Sequence, residues 1–100
     1  MQDVRPVLRA GTLAVADQFQ HIIPCKVLDV LPALSFYADG KSDNGAPGLQ
    51  RVRVRLTATR GPYKRGEVIG LHARNCYPRE AYFPRQLGAR VGYYTVEIGG

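Results

Sequence analysis

Arg51, Val52, Arg53, Val54, Arg55, Leu56, Thr57, Ala58 and Thr59 alternate polar and apolar side chains without a break. A period of two suits a strand with one face on a core and the other in water, and a helix cannot accommodate it. A chain containing such a segment must supply neighbouring strands and an apolar layer beneath them. The following stretch, Arg60-Gly61-Pro62-Tyr63-Lys64-Arg65-Gly66, packs two glycines and a proline into a basic tight connection. Residues 67–74 then place Ile69, Leu71 and Ala73 on one face, so 51–74 reads as a hairpin.

Two further strands are predicted. Residues 22–31 are rich in β-branched and apolar side chains, with Pro24 near the start and Pro32 just beyond the end. Residues 90–98 mix Val91, Tyr93 and Thr95 with Gly92, Tyr94, Val96 and Ile98, an ambiguous pattern that suits a strand with both faces partly covered. Between the first strands, Asp39-Gly40, Asn44-Gly45 and Pro47-Gly48 are turn chemistry without periodicity, so a long mobile loop is expected over 35–50. Residues 75–88 carry Pro78 and Pro84 around Glu80-Ala81-Tyr82-Phe83, enough for a helical turn. Thr12 to Gln20 could begin a short helix, which Pro6 and Gly11 oppose over the whole segment.

At 100 residues and 45% hydrophobic composition the chain can bury one core. The expected fold is mainly β: a single small antiparallel barrel or strongly bent sheet, SH3-like or OB-like. It would have four to five strands, helical turns and at most one short helix. Residues 21–100 would form the β-barrel domain, and the packing of 1–20 is left open.

The chain holds 14 Lys and Arg against 8 Asp and Glu, a net charge of +6. Residues 51–100 account for the excess, with ten basic side chains against three acidic ones. No apolar run approaches the roughly 20 residues of a membrane span, and no secretory pattern is present at the start. With only Cys25 and Cys76, a disulfide scaffold is excluded and a cytoplasmic setting is expected.

Arg51, Arg53 and Arg55 repeat on one strand face about every 6.6 Å, near two phosphate steps of a nucleic-acid strand. The simpler reading is a solvated strand face, or a ladder in which Glu67 or Glu97 pairs with the guanidiniums. Arg60, Lys64 and Arg65 at the adjoining turn, with Tyr63 beside them for stacking, favour a nucleic-acid surface. Most other aromatic residues read as packing, and Tyr93 and Tyr94 must face opposite ways in a strand. Gly61-Pro62-Tyr63-Lys64 after a basic strand resembles the turn of KOW modules, SH3-like barrels that contact RNA or ribosomal and transcription partners. Gly66 falls about two residues too early for that pattern and the likeness spans about fifteen residues, too little to assign a family.

His21-x-x-x-Cys25 and His72-x-x-x-Cys76 together offer the two nitrogens and two sulfurs of a zinc site. Residues four apart on a strand lie about 13 Å apart, so buried thiols and satisfied histidines are the simpler reading. Gly40-Lys41-Ser42 lacks the earlier glycine of a phosphate loop, and the run from Asp39 lacks the glycine and glutamate of a calcium loop. Gly99-Gly100 resembles a ubiquitin-like tail, but the long helix of that fold is missing.

These readings converge on a non-enzymatic module without cofactor. Its basic face of Arg51, Arg53, Arg55, Arg60, Tyr63, Lys64 and Arg65 would engage an anionic partner, most plausibly nucleic acid without strong sequence specificity. The alternative is a protein-interaction module acting through a sheet edge or an aromatic surface around Tyr77, Tyr82 and Phe83.

Overall fold

A computed structural model of the chain describes residues 5–32, 50–82 and 94–100. Among the described residues seven strands form two sheets. They are β1 (Val7–Leu8), β2 (Leu13–Gln18), β3 (His21–Leu31), β4 (Arg51–Leu56), β5 (Val68–His72), β6 (Cys76–Pro78) and β7 (Thr95–Val96). The large sheet is antiparallel throughout in the order β5-β4-β3-β2-β6, and β1 pairs with β7 in parallel. The chain is thus mainly β, but the described strands do not close into the expected barrel. Its only helical segments among the described residues are single 3-10 turns at Ala73–Asn75 and Arg79–Ala81.

β4 is the alternating segment read from the sequence. Val52, Val54 and Leu56 are fully buried, each burial contributing about 1.5–3 kcal/mol, while Arg53 and Arg55 face outward. The strand stops at Leu56 because Leu56 and Glu67 begin the turn: the Leu56 N–H donates to the Glu67 carbonyl at 2.8 Å and the Gly66 N–H to the Leu56 carbonyl at 2.8 Å.

The short helix considered for residues 12–20 is overturned: Leu13–Gln18 is an interior strand of the sheet, between β3 and the edge strand β6. Alanine favours helices intrinsically, but tertiary contacts decide here. Ala14 pairs with Cys25 and Ala16 with Cys76, and both alanines are wholly buried. Their small side chains let the two thiols meet. The hydrogen bond with Cys25, followed by burial, pushes the Cys76 thiol well above its usual pKa.

β2 and β3 are joined by two residues, Phe19 and Gln20, both in the left-handed region at φ 45° and 70°. That is the geometry of a primed hairpin turn, which ordinarily calls for Asn and Gly, so each L-residue here costs about 1–2 kcal/mol.

β3 runs longer than its neighbour on one side and changes partners along its length. β2 covers His21 to Lys26, Gly11 and Thr12 bond to Val27, and Gly99 exchanges two 2.9 Å bonds with Val30. Along β4 the register slips between Val27 and Asp29, a bulge that restores burial at Val30.

A tyrosine group packs above β6. Tyr77 lies 6.0 Å from Tyr94, edge to face, and 6.1 Å from Tyr82. The buried Tyr94 hydroxyl donates to the Ala73 carbonyl at 2.7 Å, fixing the turn after β5. Burial raises the Tyr94 pKa, and burial followed by the charge of Asp17 raises that of Tyr77. Of the strand expected over 90–98, only Thr95–Val96 is paired among the described residues, and Tyr93 lies outside them. The loop predicted for 35–50 also lies outside them, Gln50 excepted.

Candidate functional site

The outward face of the large sheet is built in rows across β3, β4 and β5. Leu31, Arg51 and His72 form one row, Asp29, Arg53 and Gly70 the next, and Lys26, Arg55 and Val68 a third. The three arginines predicted to act as one track stand on this face in three different settings. Arg51 is half-buried and donates through Nε to the Pro32 carbonyl at 3.4 Å. Arg53 grips Asp29, its Nε 3.0 Å from each carboxylate oxygen and its Nη2 bonded to Oδ2. That hydrogen bond holds the Asp29 carboxyl below its usual range, against the opposing effect of desolvation. Arg53 is thereby withdrawn from the proposed track, and its partner is Asp29 rather than Glu67 or Glu97, the carboxylates considered for a ladder. Glu97 instead stands 3.8 Å from Arg9.

Arg55 faces Lys26 directly across the β3–β4 ladder, an arrangement of like charges that costs stability. Together with Arg65, these two line a groove of about 320 Å³ whose floor includes Leu28, Thr57 and Gly66. Among the described residues no carboxylate pairs with Lys26, Arg55 or Arg65. Lys26 was absent from the residues predicted from sequence. Only the pairing register places it beside Arg55, and no local motif signals that.

The β4–β5 turn adjoins this groove, and several of its main-chain groups are engaged. Arg60 and Tyr63 exchange backbone bonds of 2.8 and 2.9 Å, the Arg65 N–H donates to Thr59 Oγ1 at 3.0 Å, and the Lys64 N–H donates to Glu67 Oε1 at 3.1 Å. These bonds leave the side chains of Lys64 and Arg65 exposed on a fixed frame, while Arg60 Nη1 turns back to the Thr59 carbonyl at 2.8 Å. Tyr63 is half-buried rather than fully exposed and packs against the core. Its ring meets the His21 imidazole edge-on at 5.7 Å. Gly61, at φ +55°, lies directly beneath that imidazole, where a Cβ would collide with it.

The four zinc-ligand candidates are not brought together. Cys25 and Cys76 are buried as neighbours, His21 sits on the β4–β5 turn, and His72 pairs with Arg51 at the opposite end of β4. The aromatic surface considered for a protein partner is also corrected in part. Tyr77 is buried and Tyr82 half-buried, while Phe83 lies outside the described residues. Among the described residues no helix is long and apolar enough to cross a membrane.

Comparison with known proteins adds no relative: no family model matches the chain, nor does any curated protein or solved structure.

Proposed function

We propose that this chain is a non-enzymatic binding module of SH3-like type whose basic groove and turn engage nucleic acid through its phosphates. The SH3-like reading rests on the β2–β5 meander, the 3-10 turn Ala73–Asn75 between β5 and β6, and the return of β6 to β2. The observation that carries the binding reading is the facing pair Lys26 and Arg55, joined by Arg65 around a groove without an acidic partner among the described residues. Opposed cations on adjacent strands are a cost in the free protein, and a bound phosphate removes it. Arg60 and Lys64 extend the surface onto the rigid turn, giving five cations in all. Arg51, half-buried in the far row, and Arg53, gripped by a carboxylate, serve the fold, whereas Arg60 stays exposed. The surface has no base-reading set, so affinity would come from counterion release without strong sequence preference.

Titration of a labelled oligonucleotide across a salt series tests this. Five contacts on single-stranded nucleic acid predict a log-log slope of about −3.5, and Arg55→Ser with Arg65→Ser reduces its magnitude by about 1.4. Salt-insensitive binding, or none at low salt, refutes the proposal.

The second reading, a protein-interaction module, draws on β5. This strand pairs with β4 on one side and, among the described residues, with no strand on the other. Self-association unaffected by salt would favour it.

A further inference from the structure

We infer that the β2–β3 hairpin tip is a stacking platform for an unpaired base, which makes the ligand single-stranded nucleic acid. The inference rests on the phosphate-binding reading above and adds a site outside the groove.

Phe19 stands where neither backbone nor burial favours it. Its φ of 45° belongs to glycine and asparagine, its side chain is 79% exposed, and it takes no part in the core cluster. A large apolar ring held in water on a strained two-residue turn does nothing for the fold. Strain of this kind persists where the surroundings enforce it and function uses it.

The neighbourhood says which function. Two residues on, His21 rests over Gly61 and meets Tyr63 edge-on, which fastens this tip to the β4–β5 turn. Both turns therefore occupy one end of the sheet, and the exposed Arg60, Lys64 and Arg65 belong to the turn that His21 touches, two residues along the chain from the exposed ring. An aromatic face next to a cationic rim matches a base with its phosphates, since every base has a face that stacks and every linkage a charge to neutralise. Bases inside a duplex already stack on their neighbours and have no free face for Phe19, so the preference falls on a single strand.

The test compares wild type, Phe19→Asn and Phe19→Trp against an oligodeoxythymidylate and an abasic oligonucleotide of equal length, at low salt. Asparagine suits the left-handed turn, so Phe19→Asn should melt no lower than wild type. It should weaken oligodeoxythymidylate binding by roughly 5- to 150-fold and leave abasic binding unchanged. The indole of Phe19→Trp, in a chain without other tryptophan, should be quenched by oligodeoxythymidylate and not by the abasic strand. If wild type binds neither strand, the phosphate reading falls and this inference with it. If wild type binds both and Phe19→Asn binds oligodeoxythymidylate as tightly, the stacking role alone is overturned. It is overturned equally if Phe19→Asn abolishes self-association in light scattering while oligonucleotide binding stays intact.

Discussion

Asp29 stands opposite Arg53 because β3 carries one residue more than β4 between Val27 and Asp29. Cys25 and Val27 point into the core, and unbroken alternation would send Asp29 in after them. The bulge at Leu28 reverses the order, turning the carboxylate out to meet a guanidinium and turning Val30 in. A single inserted residue thus completes the core and removes one arginine from the basic face.

Asp29→Asn should therefore uncouple stability from acid. Folding lowers the Asp29 pKa, so as pH falls the unfolded chain binds the proton first. The pair's contribution is complete above the ordinary carboxylate pKa of about 3.9 and is lost below it. Thermal melts across acidic pH should converge for wild type and Asp29→Asn at low pH and separate near neutrality. Releasing Arg53 should also steepen the salt slope of oligonucleotide binding by about 0.7.

Gly61→Ala should destabilise the protein by about 1–2 kcal/mol, because φ +55° disfavours any side chain and the new methyl group meets the His21 ring. In a His21→Ala background only the backbone part remains, so a double-mutant cycle by denaturant melts should give a coupling energy of the opposite sign.

Tyr94→Phe should lower stability by about 1–3 kcal/mol, since it leaves the Ala73 carbonyl without its 2.7 Å donor. Burial raises the Tyr94 and Tyr77 pKa values, so the unfolded phenols ionise first, near about 10. The stability they hold is complete below that pH and declines above it. Alkaline melts should show a shallower decline in Tyr94→Phe.

Both thiols should resist alkylation until the protein unfolds. Cys25 and Cys76 are wholly buried, and the raised Cys76 pKa keeps its thiolate scarce. Labelling with a maleimide in native buffer should modify neither, and labelling in denaturant should modify both.

Much of the sheet was legible because β4, β3 and β5 carry their own periodicity or β-branched content, and the glycines at 61 and 66 mark the turn. β2 was not, since Ala14 and Ala16 reflect the narrow space beside two cysteines rather than any strand preference. The Phe19–Gln20 turn was hidden for the opposite reason: its residues contradict its conformation. The site was half visible. Arg55, Arg60, Lys64 and Arg65 follow from the strand and turn, but Lys26 joins them only through a register, and Arg53 leaves them only through a bulge.

The place of β2 between β3 and β6 also orders events during synthesis. A ribosome delivers β2 to β5 as a run of neighbours, while the strand that covers the other side of β2 is the last of that sheet to emerge, at Cys76–Pro78. Until then the nascent meander carries a bare β2 edge, a template for pairing between chains. Truncation before residue 76 should accordingly raise the chain's tendency to aggregate, read by light scattering against the full chain.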